Sequence, residues 1–192
     1  MPDPSIKHMQ AAFLFKAPLP GFFSTSSDKD KKYSELRLPR FEHYNAKVIY
    51  KGILGEGNEG VVFSATIKGE TFTVKVRPVE DQFKYFASLA YEARAYARIH
   101  NRGQDSVYSC RCYGWMKLSL ATLQKAFGLR TCYDLSNYAI VKEFISTLPR
   151  PEHLPSIHSG LDVSDKMGIM IEDSSPQNYK GGRLIDLGNA VT

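Results

Sequence analysis

Between residues 46 and 76 apolar and polar positions alternate in three successive runs, AKVIYKGIL, VVFSATIKG and ETFTVKV. β-Branched and aromatic residues dominate each run, and a period of two puts one face of every segment on a core. Lys68-Gly69 separates the last two runs and predicts a tight hairpin, so the three form an antiparallel meander. Pro78 ends the third strand. The period then changes: Phe83, Phe86, Ala90, Ala93 and Ala97 recur at three- and four-residue steps, which predicts a helix stopped by Asn101-Arg102-Gly103.

CRCYGWMKL and YAIVKEFI read as two further strands, joined by SLATLQKAFGLRTCYDLSN with room for a short helix. Pro149, Pro151 and Pro155 interrupt the next stretch before a short helix that ends ahead of Gly168. NYKGGRLIDLG is expected to close as a hairpin with Gly181-Gly182 at its turn. The fold class is therefore α+β, with a five-stranded antiparallel sheet. Residues 1–40 hold five of the ten prolines and the run SSDKDKK, and read as an irregular basic arm ahead of a body spanning 41–192.

Composition narrows the class. The chain has 192 residues, 43% hydrophobic and 23% charged, and contains no apolar run near the ~18 residues of a membrane span, so no membrane role is expected. The N-terminal apolar stretch AAFLF is interrupted by proline and lysine and does not read as a secretory signal. Three cysteines form no disulfide framework, which points to a reducing, intracellular compartment. Cys110 and Cys112 share one strand face but lack zinc partners at suitable spacing, and read as buried structural residues. The net charge of +5 is not gathered into one stripe, so nucleic acid is not the expected partner.

LGEGNEGVVF carries the spacing Gly55-x-Gly57-x-x-Gly60. A dinucleotide-binding fingerprint would need a helix directly after these glycines, whereas Val61 to Ile67 favour a strand. The loop is then a strand-turn-strand whose bare backbone can approach phosphates. Lys75 follows in the third strand between Val74 and Val76. Glu92 sits at the margin of the helix's buried face with no cation at three or four residues, so its partner is tertiary, and Lys75 is the expected one.

Glycine loop, strand lysine, helix glutamate, then IEDSSPQN and Asp186-Leu187-Gly188 occur in the order of the protein-kinase signature set. From about residue 45 onward the chain resembles the protein-kinase-like superfamily. That resemblance implies ATP and Mg²⁺ as cofactors and a nucleotide as partner. Gly55, Gly57 and Gly60 would cover the phosphates, with Val62 and Thr73 over the adenine and Lys75 on the α- and β-phosphates. Glu143, ending the last strand, joins the nucleotide-binding set. Asp173 would take the proton of the attacking hydroxyl, Lys75 and Glu92 would form the supporting ion pair, and Asn178 and Asp186 would hold the metal.

Residues 41–143 correspond to an N-lobe with one helix, and 144–192 to a much reduced C-lobe whose missing surface protein partners would cover. YEARAYARIHNRGQDSVYSCRCYGW and NYKGGRLIDLGNAVT further resemble a fungal family of short kinase-like proteins that includes an inner-kinetochore subunit of the Sim complex. That resemblance implies a nuclear, protein-binding role. The pattern departs from active kinases at three places. Ile171-Glu172 replaces His-Arg, Ser175 stands where a lysine usually supports transfer, and six residues follow Asp186. Two readings follow from the resemblance: an ATP-dependent phosphotransferase acting on a protein or small hydroxylated acceptor, and a pseudokinase scaffold at the fungal kinetochore.

Overall fold

The computed structural model describes residues 38–57, 60–78, 84–133 and 135–191. Strands β1 (Val48–Gly57), β2 (Gly60–Ile67) and β3 (Glu70–Pro78) form the expected meander, followed by helix α1 (Lys84–Asn101). β4 (Cys112–Lys117), helix α2 (Leu120–Tyr133) and β5 (Leu135–Glu143) follow. The sheet is antiparallel throughout, in the order β1-β2-β3-β5-β4. Helix α3 (Leu154–Lys166) and four two-residue strands complete the chain: β6 (Met170–Ile171), β7 (Tyr179–Lys180), β8 (Arg183–Leu184) and β9 (Ala190–Val191). No helix among the described residues is long and apolar enough to cross a membrane.

Turn chemistry explains the joints. Lys68 and Gly69 both take positive φ, as the tight β2–β3 hairpin requires, and Gly181 and Gly182 do the same between β7 and β8. α1 stops where Gly103 enters the left-handed region, with its N–H bonded to His100 O at 3.0 Å and Gln104 N to Ile99 O at 3.0 Å.

Two cores flank the sheet. Phe63, Val74, Val76 and Val141 lie on the face covered by Leu123 and Phe127 of α2. On the other face Ile140 meets Ala93, Tyr96 and Ile99 of α1, and this core continues down to Ile169, Leu184 and Leu187. Cys110 and Cys112 are buried in it.

The structure differs from the sequence expectation in three respects. The β4–β5 connection holds a 14-residue helix, not a short one, so the sheet carries a helix on each face. Its sequence has almost no amphipathic stripe, and Leu123 with Phe127 is enough to seat it. Order begins earlier than Arg40, since Leu38 is fully buried; residues 1–37 of the expected arm lie outside the described residues. Pro39 to Phe41 run beside β4, with Trp115 N bonded to Pro39 O at 3.0 Å and Phe41 N to Trp115 O at 2.8 Å. The final residues also build a second small sheet, β6 with β9, beside the expected β7–β8 hairpin.

Gly60 and Gly55 make contrasting demands. Gly60 has φ +125°, and a Cβ there would lie 2.1 Å from Val76 O of β3. At Gly55 and Gly57 an added Cβ meets nothing within 4 Å. Gly60→Ala is therefore expected to lower stability by about 2 kcal/mol or more, and Gly55→Ala to change it by less than about 0.5 kcal/mol, in chemical denaturation.

Candidate functional site

The site begins with strand alternation. Thr73, Lys75 and Arg77 share the α1-facing side of β3, while Phe72, Val74 and Val76 enter the opposite core. Cross-strand pairing of Thr73 with Lys142 and Lys75 with Ile140 puts Lys142 on the same side of β5. Three cations thus look toward α1.

Glu92 receives them. Its side chain is fully buried, with Lys142 Nζ at 2.8 Å from Oε1, and Arg77 Nη2 at 2.8 Å and Lys75 Nζ at 3.2 Å from Oε2. The expected place at the margin of the buried face is corrected: three partners, not one, hold it at the centre. Burial alone would raise the Glu92 pKa, but Lys142, Lys75 and Arg77 outweigh it and hold the carboxyl well below the usual carboxylate range. Burial also opposes the Lys142 charge, which Glu92 secures, so its pKa moves up. For Lys75, burial together with Arg77 and Lys142 prevails over Glu92 and Asp186, and the direction is downward.

The C-terminal segment is tied to this cluster twice. Lys75 Nζ donates to both carboxylate oxygens of Asp186 at 2.6 Å, and Lys142 Nζ donates to Ile185 O at 2.7 Å. Asp186 Oδ1 also accepts from Gly188 N at 2.9 Å. The β7–β8 hairpin sets this position, because Ile185 N bonds Asn178 O at 2.7 Å and so brings Asp186 back beside the 173–178 loop. Within that loop Asp173 Oδ1 accepts from Ser175 N at 3.0 Å and from Ser175 Oγ, and Asn178 Nδ2 donates to Asp173 O at 3.2 Å. The Ser175 hydroxyl and N–H, with Asn178, hold the Asp173 carboxyl below its ordinary pKa.

A cleft of about 370 Å³ joins these parts. Gly55, Gly57, Gly60 and Val62 line one side, and Asp173, Asn178 and Asp186 the other, with Lys75 also in the lining. Thr73, Glu92 and Glu143 are not in the lining. Glu143 is instead gripped by Arg183, with two bonds of 2.7 Å, and accepts from Arg111 N at 3.1 Å. Burial works to raise its pKa, yet Arg183 and the Arg111 N–H bring it down. Its side chain staples the end of β5 to the β7–β8 hairpin.

Arg77 and Lys142 belong to the cluster and went unnoticed in the sequence. Their signal was present: Arg77 shares Lys75's parity on β3, and Lys142 is a lysine inside the apolar run YAIVKEFI. An inward cation in such a strand needs a buried anion. Among the described residues no group of three or more His, Cys, Asp or Glu gathers as a metal-binding set.

Residues 26–191 match the model of the family described as Kinetochore Sim4 complex subunit FTA2. No curated protein matches the chain.

Removing the central anion should unfold the cluster. Glu92→Ala is expected to cost about 3–5 kcal/mol, since it leaves three cations buried together, whereas Lys142→Met, which leaves Glu92 two partners, costs about 1–2 kcal/mol. The Glu92 contribution is present above its unfolded pKa, about 4.5, and fades as pH falls from there toward the depressed folded value. Acid titration of stability followed by circular dichroism should show a shallower decline below that pH in Glu92→Gln than in the wild type.

Proposed function

The chain belongs to the Kinetochore Sim4 complex subunit FTA2 family, and from that premise we propose that it is a protein-binding scaffold of the kinetochore, built on a kinase-like fold. The single observation that carries this reading is the family match, which spans residues 26–191 and so covers all of the described body. A subunit of a complex works through protein partners, and a kinetochore role brings a nuclear location with it. Support for the kinase-like fold is topological. The sheet order β1-β2-β3-β5-β4 has its first helix between β3 and β4, a lysine on β3, a glutamate on that helix and Asp186 after a short hairpin.

The cleft's chemistry agrees better with a scaffold than with an efficient phosphotransferase. Asp173 would have to accept a proton, yet Ser175 occupies one of its carboxylate oxygens and lowers its pKa, which weakens it as a base. Ser175 itself stands where a transfer-supporting lysine would be. Losing one such electrostatic contact costs ~10²- to 10³-fold in rate.

A second reading, nucleotide binding without efficient transfer, has one observation in its favour. Gly55 and Gly57 lie in a strand, where glycine is unfavourable, take no positive φ, and face open space beside the cleft. Such bareness suits close approach of a ligand. The cluster of Lys75, Arg77 and Lys142 against Glu92 and Asp186 also carries one excess positive charge, which suits a phosphate. ATP with Mg²⁺ fits these residue types: Lys75 would neutralise phosphate oxygens, and Asn178 and Asp186 would supply two metal ligands, with phosphates completing the shell. When bound, the metal would offset the charge of the triphosphate.

Reconstitution with recombinant Sim4 complex subunits tests the scaffold. Wild type, Lys75→Met and Asp173→Asn should all enter the complex to the same extent, with no transfer of labelled γ-phosphate above background; measurable transfer that Asp173→Asn lowers by ~10²-fold or more would favour the enzyme instead. Melting curves test the nucleotide. Mg-ATP should raise the wild-type melting temperature by roughly 3–8 °C, as expected for saturation well above Kd. Gly57→Val, which touches no charged residue, should remove that shift without lowering the melting temperature of the free protein. An unchanged wild-type melting temperature would leave the cleft a purely structural feature.

A further inference from the structure

A second groove, of about 600 Å³, lies at the seam where residues from both edge strands of the sheet, β1 and β4, come together with the first turns of α2. It shares no lining residue with the glycine-lined cleft. Its floor is apolar: Met116 and Leu118 are buried, and Ile49 stands 46% exposed at the opening. Just outside, Leu120 is also 47% exposed. Two large aliphatic side chains left in water beside a concave apolar floor suit a partner's side chain.

Charge marks the kind of partner. Lys47, Lys117 and Lys125 line the groove and are exposed, and no Asp or Glu is in the lining. None of the three lysines makes an ion pair among the described residues. Arg40 stacks 3.6 Å above the ring of Tyr44, another lining residue, and so adds a fourth cation at the border while holding that ring in place. The first turn of α2 also contributes to the lining through Ala121 and Thr122, with the positive end of the helix dipole. Potential and shape therefore agree: a positive rim around an apolar floor.

We propose that this groove docks an acidic protein segment carrying apolar side chains, whose carboxylates meet Lys47, Lys117 and Lys125 while a leucine- or phenylalanine-sized residue covers Ile49 and enters above Leu118. A peptide fits these features better than nucleic acid does. A phosphate backbone would use the lysines but leave the concave apolar floor unmatched, and its affinity would come from a longer basic track than three lysines. The inference rests on the scaffold reading, and it names the partner class of one surface.

The test uses the purified full chain and a fluorescently labelled peptide of repeated Glu-Leu-Asp-Phe. Controls are the same peptide with Gln and Asn for its acids, the same peptide with Ser for its apolar residues, and a short DNA duplex. At near-physiological salt the acidic, apolar peptide should bind at least about tenfold more tightly than any control, a difference of about 1.4 kcal/mol. The combined variant Lys47→Glu, Lys117→Glu, Lys125→Glu should lose at least about tenfold, Ile49→Asp should lose a similar factor, and Lys166→Glu, at an exposed lysine outside both hollows, should lose nothing. All the groove substitutions are at exposed positions, so melting curves should stay at the wild-type value.

Absent peptide binding, equal binding of the neutral peptide, tighter binding of DNA, or an unaffected triple variant would each overturn the proposal. Failure here is distinguishable from failure of the scaffold reading, because that one is decided by entry of the wild-type chain into the reconstituted complex. A photo-crosslinker placed at Ile49 in that complex should attach to an acidic stretch of another subunit. Attachment to DNA or to a second copy of this chain would overturn the proposal.

Discussion

The burial of one carboxylate organises this protein. Glu92 lies fully inside, and a lone carboxylate there would be untenable. Lys75, Arg77 and Lys142 make it tenable, and in doing so they fix α1 to β3 and β5 at a single height and rotation. A hydrophobic contact alone would allow α1 to slide or turn; directed bonds to both oxygens of Glu92 do not. Ion clusters of this sort contribute little net stability compared with an apolar replacement, so their value here is geometrical.

The same cations reach the end of the chain. Lys142 spends a second bond on Ile185 O and Lys75 two on Asp186, so the sheet, the helix and the last segment meet at one charged point. Two further staples hold the lower part. Glu143 grips Arg183, and Arg98 of α1 donates to Met167 O at 3.2 Å and Gly168 O at 2.8 Å just past the end of α3. The donation to Met167 O also meets a carbonyl at the cap of the helix, where the helix itself supplies no partner. A small lower segment is thereby carried on a larger upper one, with the glycine-lined cleft between them.

Seen this way the cleft and the seam groove have different characters. The cleft's polar groups are engaged with one another: Asp186 with Lys75, and Asp173 with Ser175. Its geometry persists through internal bonds, as a structural element of a complex subunit requires. The seam groove's lysines make no ion pair among the described residues, Lys117 lying only over the Tyr138 ring at 6.0 Å, and Ile49 at its opening stands in water. Unused charge and exposed aliphatic surface are what an interface leaves on a separate subunit.

Local chemistry was enough to read much of the fold. Alternation announced the strands, the shift to three- and four-residue spacing announced α1, and Lys68-Gly69 and Gly181-Gly182 announced the hairpins, because turns and periodicity are set by neighbouring residues. Lys75, Glu92, Asp173, Asn178 and Asp186 could likewise be picked out by type and order. Three matters lay beyond such reading. α2 has no clear apolar stripe, so its seat was decided by Leu123 and Phe127 finding the sheet face. Glu92's three partners come from residues 15 and 50 positions away as well as from Lys75, and only strand pairing puts Arg77 and Lys142 on one side. The charge-marked groove joins residues near 47 with residues near 117, because Pro39 to Phe41 run beside β4 before the chain enters β1; charge at a distance in sequence becomes a surface only when the chain has folded.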